Sequence, residues 1–456
     1  MASTYLSRDI SSTSTPKKLT CSFWIKRTGT GSSTQRIFSQ SNDGSFDMYW
    51  RWENGDIFTA WNELNAGGTL NSVTPNMKFR DFNGWYHIVL RWDTTQSTST
   101  DRFRMYVNGT NVDSLGGYSS YTAPSQNDTI GFFSTTNCKF DIGYYRASNS
   151  EYLESILSHV HVCDGYSYAP TEFGETDSTT GEWKIKPAPS VSYGTNGFWI
   201  LKDGNSVTDQ SGQGNNFTVG GGTLTKTEDN PSNIFATFNP HANNANAILG
   251  NGNTTVSHSS TSWKRALCNL GNTSGKWYWE VKRNNSNTPY YKFGMIEEEG
   301  QWASMPSHEH HADNANGWAW YVNGGNIELR TAQAVISGYS QSDLGNTSLG
   351  NGDILCIALD LDNGRLHARK NDGSWLKSGD PAAGTGGYAI GNWSAGKLYI
   401  PACSVYQNAT AEHNFGNGYF GTTAVSSAGT NASNIGIFEY DVPTGFTAWS
   451  TKGFNE

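Results

Sequence analysis

Charge, proline and long apolar runs are all scarce in this chain. Only 16% of its 456 residues are charged, and there are 13 Pro. No apolar run approaches the roughly 20 residues that cross a bilayer as a helix. Lys and Arg total 31 against 40 Asp and Glu, a formal charge of −9, and a net negative surface is a poor partner for a phosphate backbone. Nucleic-acid binding and membrane insertion are therefore not expected. The six cysteines, at 21, 138, 163, 268, 356 and 403, form no Cys-x-x-Cys pair, which argues against zinc knuckles and redox motifs. The opening Met1-Ala2-Ser3-Thr4-Tyr5-Leu6-Ser7-Arg8 lacks the charged head and apolar stretch of a secretory signal. All six cysteines are accordingly read as small buried thiols of a protein folded under reducing conditions. Helical periodicity is nearly absent, and the best candidate is a short helix over Ser150 to Leu157.

Aromatic and turn residues are abundant instead. There are 17 Trp, 22 Tyr, 21 Phe and 51 Gly. Such rings bury large areas, so a modest aliphatic content does not imply disorder. Short alternating runs recur between Gly, Asn, Asp and Ser, the pattern of sandwiches and barrels. In 85–92, alternation puts Tyr86, Ile88, Leu90 and Trp92 on one face. Phe103, Met105 and Val107 share a face in the next strand, and Asn108-Gly109 suits a tight hairpin turn. One buried and one wet side are expected there. In 353–361, Leu355, Ile357, Leu359 and Leu361 share a face, Asp362-Asn363-Gly364 is a turn, Leu366 and Ala368 follow, and Asn371-Asp372-Gly373 turns again. Pro187, Pro189 and Gly220-Gly221-Gly222 mark a connection. The expected fold is all-β, with two antiparallel β-sandwich (jelly-roll) domains in tandem. They span 1–222 and 241–425, joined by a linker over 223–240 and followed by a tail over 426–456 with a short strand.

Two resemblances sharpen this. In the first domain, residues 19–27 (Leu-Thr-Cys-Ser-Phe-Trp-Ile-Lys-Arg), 84–89 (Gly-Trp-Tyr-His-Ile-Val), 106–109 (Tyr-Val-Asn-Gly), 159–165 and 209–215 (Asp-Gln-Ser-Gly-Gln-Gly-Asn) stand in the order found in laminin-G-like, concanavalin-A-like domains, which the region resembles. In the second, 275–281 (Gly-Lys-Trp-Tyr-Trp-Glu-Val), 293–296 (Phe-Gly-Met-Ile), 317–321, 352–360, 398–405 and 414–416 resemble a SPRY domain. The pairing is similar to structural proteins of tailed bacteriophages. There, a start like residues 1–8, a segment like 229–240 (Asp-Asn-Pro-Ser-Asn-Ile-Phe-Ala-Thr-Phe-Asn-Pro) and a close like Pro443-Thr444-Gly445-Phe446 recur. That resemblance implies a virion surface protein made in the host cytoplasm. It would be a tail fibre or appendage, or a capsid decoration, with other virion proteins as partners, a homo-oligomeric state and a host-surface glycan or protein as ligand.

No assembled catalytic set appears, and no enzyme is expected. A retaining glycosidase needs two carboxyl groups about 5–5.5 Å apart, and the glucanase run Glu-x-Asp-x-x-Glu is absent. Asp360 and Asp362 flank a turn, Glu297 and Glu299 could converge, and Glu151 and Glu154 suit a helical face. A virion-associated polysaccharide-degrading enzyme of the concanavalin-A-like glucanase type is the alternative, and a cellular lectin-like module is a third reading. His308-Glu309-His310-His311 reads as an exposed polar loop. Its zinc reading lacks a histidine at position 312, where Ala312 stands, so it would need partners such as Asp313. No cofactor is expected, although Asp203, Asp209, Asn215 and Asn216 could offer oxygens to calcium or simply serve turns. The candidate ligand-binding residues are loop aromatics and histidines: Trp52, Trp61, Trp302, His308, His310, His311, Trp375 and Trp393. Exposed rings can stack on sugars, or pack against a partner subunit.

Overall fold

The computed structural model describes residues 3–28, 33–41, 47–62, 71–202, 204, 206–242, 247–285, 289–298, 310–313 and 315–455. The chain divides into two units, Met1–Leu224 and Thr225–Glu456. Each is an antiparallel β-sandwich.

In the first unit, one sheet has the order Tyr118–Thr122, Asn71–Pro75, Ile57–Asn62, Asp47–Glu53, Gln35–Ser41, Cys138–Ile142, Tyr5–Ile10, Thr218–Gly221. The other has the order Phe198–Ile200, Ser155–Asp164, Lys18–Arg27, Tyr86–Asp93, Phe103–Val107, Thr110–Asn111. Side chains at alternate positions of both sheets, including Trp50, Phe140, Ile88, Leu90 and Trp92, make one core. Asn108 and Gly109 have φ of 47° and 77°, the left-handed pair that a two-residue hairpin needs.

The expected wet side of the Tyr86–Asp93 strand is dry. His87 and Val89 are both fully buried, and Trp183 lies against His87. Its Nε1 donates to His87 Nδ1 at 2.9 Å, and Trp24 stacks on the imidazole at 4.8 Å. Burial pushes His87 down to about 3, so the ring is neutral. Nδ1 accepts from Trp183, so Nε2–H donates to Ser22 Oγ at 2.8 Å. A Cβ at Gly109 or Gly174 would fall 2.6 or 2.4 Å from the Trp183 ring. The expected helix over 150–157 is also absent. Ser155–Asp164 is a strand paired with Lys18–Arg27, and Leu153 and Leu157 pack on the core.

The second unit pairs a sheet of order Ile248–Gly250, Thr255–His258, Ala409–Asn414, Lys276–Arg283, Ile354–Asp360, Arg365–Lys370, Tyr388–Ala389 with one of order Lys264–Leu267, Tyr399–Tyr406, Tyr290–Glu297, Gly317–Asn323, Asn326–Thr331, Ala334–Val335. Leu355, Ile357, Leu359 and Leu361 enter the shared core with Trp277, Trp279, Trp318 and Trp320. Their neighbours Ile354, Cys356 and Ala358 are buried on the opposite face, beneath Phe235, Phe438, Val442 and Phe446. Strands apolar on both faces need cover on both. Residues 223–240 are therefore not simply a linker: Phe235, Ala236 and Phe238 are at most 1% exposed. Nor is 426–456 a peripheral tail, since Trp449 is fully buried and Thr447–Ala448 pairs in parallel with Trp277 and Tyr278.

All six cysteines are free and buried, and burial raises every thiol pKa. The thiolate is the reactive species. The folded protein is therefore expected to show no fast reaction with Ellman's reagent at pH 8, and all six thiols are expected to react in guanidinium. A stoichiometric fast phase in the native protein would contradict this burial.

Candidate functional site

Alternation sorts the aromatics of the first unit into two sets. In 48–53, Met48, Trp50 and Trp52 point into the core, while Tyr49, Arg51 and Glu53 lie on the opposite face. Trp52 is fully buried, with the Arg27 guanidinium 4.9 Å from its ring. It is a core residue and no ligand platform. The charged Arg51 and Glu53 already marked the outer parity in the sequence. In Ile57–Asn62, Thr59 and Trp61 share that outer parity, and Trp61 is half-buried.

Register aligns these outer residues. Trp61 stands opposite Tyr49 and Ser72, Tyr49 opposite Ser39, and Ser39 opposite Asp141. In the next row Arg51 stands between Arg36 and Thr59. The Tyr49 and Trp61 rings stack 5.9 Å apart at 8°. Arg51 lies 4.4 Å from the Tyr49 centroid, and Arg36 lies 3.9 Å from both Tyr49 and Tyr145. Arg51 pairs with Glu53 at 2.7 Å and Glu151 at 3.8 Å, and Arg36 also pairs with Glu151. Asp141, fully buried, holds Arg146 through contacts of 2.6 and 2.9 Å. Tyr49 and Arg36 are themselves buried, at 9% and 2% exposed, and brace the half-buried Trp61 ring, with the partly exposed Arg51, Glu53 and Glu151 close by. The half-buried Trp61 ring can take the CH face of a pyranose, and Arg51, Glu53 and Glu151 suit its hydroxyls. Sequence reading found Trp61, weighed Glu151 only as a carboxylate on a helical face, and missed Tyr49, Arg36 and Arg51.

The other candidates are dispersed. Trp302 and His308 lie outside the described residues. His310 and His311 are 8% and 1% exposed, so this part of the expected loop is not on the surface. His310 Nε2 is 2.7 Å from Asp313 and also hydrogen-bonds Lys292. His311 Nδ1 is 2.8 Å from Ser404 Oγ. Burial pushes Lys292 down to about 7 and His311 well below the usual imidazole range. Trp393 is half-buried and packs on Gly364, where a Cβ would meet its ring at 2.6 Å. Trp375 lines an open groove in the second unit.

The acidic candidates are engaged in structure. Asp360 accepts from Asp362 N, Asn363 N and Asn363 Nδ2 and faces Lys276 at 3.3 Å. Glu297 pairs with Lys397 at 3.2 Å, and Glu154 accepts from Gln35. Glu299 and Asp203 lie outside the described residues. Asp209 accepts from Trp199 N, Ser211 N, Ser211 Oγ and Asn215 N. Asn215 and Asn216 complete that loop by bonding Gly197 O and Asp209 N. These groups order a turn, as Asx residues do. Among the described residues, no three His, Cys, Asp or Glu side chains are grouped to hold a metal.

Residues 2–145 match a laminin-G family model described as the concanavalin A-like lectin/glucanases superfamily. The Tyr49–Trp61 face lies within that stretch. No curated protein matches the chain. Solved structures similar to it include the SPRY domain of human HERC1, at 16% identity and a TM-score of 0.27, covering 39% of this chain and 96% of that one. The TRIM65 PSpry domain shows 16% identity and a TM-score of 0.27 over 39% of this chain and 90% of that one. A heptameric SAP-like pentraxin from Limulus polyphemus shows 17% identity and a TM-score of 0.23 over 37% and 72%.

Proposed function

We propose that this is a non-enzymatic carbohydrate-binding protein of a phage particle surface, an appendage or capsid decoration, holding host-surface glycan on the Tyr49–Trp61 face. The observation that carries the binding reading is the half-buried Trp61 ring, held in place by the buried Tyr49 that stacks on it and accompanied by the partly exposed Arg51 and Glu151. The match of 2–145 to a concanavalin A-like lectin/glucanase model fits a carbohydrate-binding or adhesion role. The particle assignment is supported by the resemblance of residues 1–8, 229–240 and 443–446 to phage structural proteins.

Removing a sugar-stacking ring costs on the order of 1–3 kcal/mol, so Trp61→Ala is expected to weaken retention on a binding glycan about tenfold or more. Its melting temperature should stay near that of the parent, because Trp61 is not in the core. A glycan array followed by affinity electrophoresis reads this. Unchanged retention would remove this face from the function. Release of reducing ends from any polysaccharide tested would replace binding by hydrolysis. Absence of the chain from purified particles at fixed stoichiometry would end the virion assignment.

A further inference from the structure

The second unit has a groove that the Tyr49–Trp61 reading does not use. Its volume is about 650 Å³, within the roughly 300–1,000 Å³ span of small-ligand clefts. Asp343 and Thr347 stand in one segment of its lining, and Ser374, Trp375 and Lys377 in another, with Lys370 between them in sequence. We propose that this groove is a second carbohydrate site, selective for uncharged polysaccharide, with Trp375 as its stacking platform.

Three features carry this. First, the half-buried Trp375 indole is braced before any ligand arrives. The Arg369 guanidinium lies 4.9 Å from its centroid and is itself held by Asp441 O at 2.8 Å. His367 meets the indole edge-on at 6.3 Å. A ring already fixed loses little freedom on binding. Second, the polar lining is oriented. Ser340 N and Ser340 Oγ both donate to Asp343 Oδ2, which sets the direction of the carboxylate. Thr347 Oγ1 donates to Leu344 O at 2.7 Å and keeps its lone pairs for a ligand hydroxyl. Third, the charges balance. Lys370 is neutralised by Asp353 at 2.8 Å, and Lys377 is offset by Asp343. No surplus of cations favours an acidic sugar, whereas separate donors and acceptors suit neutral hydroxyls. The loop also holds Lys377 and Ser378 at φ 57° and 52°, a conformation that side-chain-bearing residues keep only when their surroundings impose it.

The proposal rests on the carbohydrate reading above, and its test separates the two. Full-length protein is run in native gels containing dextran, yeast mannan or alginate. Retardation by dextran or mannan, and not by alginate, is expected. Trp375→Ala should weaken it about tenfold or more, while Trp375→Phe, which keeps a stacking face, should hold within about threefold. Asp343→Asn lies on the surface and should weaken retardation without changing the melt, which covers the case of a misfolded Trp375→Ala. Retardation surviving both Trp375→Ala and Asp343→Asn would overturn the proposal, as would retardation by alginate alone. Loss with Trp61→Ala only would leave the first-unit reading standing and this one refuted. Loss with Trp375→Ala only would do the reverse. No retardation by any of the three polymers would count against both.

Discussion

Chains cut after Val425 are expected to lose the second unit's fold altogether. The removed segment contributes Phe438, Val442 and Phe446 to the cover over the outer sheet face, with Ala448 and Trp449 beside them. Trp449 stacks on Trp277 at 4.7 Å. Its carbonyl accepts from Ala236 N, and Thr451 N donates to Ile234 O, so the segment also pins 234–236. Burying each large apolar side chain is worth about 1.5–3 kcal/mol. Four of them approach the roughly 5–15 kcal/mol net stability of a domain. Truncation would also strand Glu280, which takes two of its donors from Glu439 N and Tyr440 N. Differential scanning calorimetry and limited proteolysis check this. The first unit's transition should persist, the second should vanish, and residues 225–425 should be digested. A truncated chain that keeps both cooperative transitions would contradict this role for the segment.

Period-two alternation made both cores legible, because inward positions can be read from any single strand. Tyr86, Ile88, Leu90 and Trp92, and likewise Leu355, Ile357, Leu359 and Leu361, behave as their spacing requires. What lay across the second face was not legible. His87 is buried where a polar surface was expected, because Trp183 reaches it from 96 residues further along the chain. Phe438 and Phe446 likewise reach the strand of Cys356 from the supposed tail. Such cover is a tertiary fact that no window contains. Trp52 was expected among the ligand-binding residues although Arg51 and Glu53, charged neighbours in its own strand, mark the opposite side as the wet one. Asp313 is three residues from His310 in the same turn, but the Lys292 partner comes from the Tyr290–Glu297 strand, so the burial of the histidines had no local signal. The Trp375 groove is assembled from loops some thirty residues apart and is visible only once folded.

Glu280 offers a test at the protonation level. Its carboxyl is fully buried and accepts from Glu439 N, Tyr440 N, Tyr278 Oη and Asn414 Nδ2. Burial dominates over these four donors, which favour the ionised form, and raises the group from 4.5 to about 7. Between those values the folded state holds a proton that the unfolded chain has released, so the group's contribution to stability is full below pH 4.5 and falls until about pH 7. The change amounts to roughly 3 kcal/mol. His311, His367 and His413 work in the opposite sense. Burial lowers all three, so they add stability as pH rises towards the ordinary imidazole value. The raw pH profile of the second unit therefore mixes both slopes, and the readout is a difference. Glu280→Gln cannot ionise, and its amide costs a constant amount by facing two donors. Relative to the parent, the variant should gain roughly 3 kcal/mol between pH 4.5 and pH 7.5, and the histidine contributions cancel. Urea unfolding of the second unit at a series of pH values measures this. A parallel pair of curves would show that Glu280 titrates alike in the folded and unfolded chain.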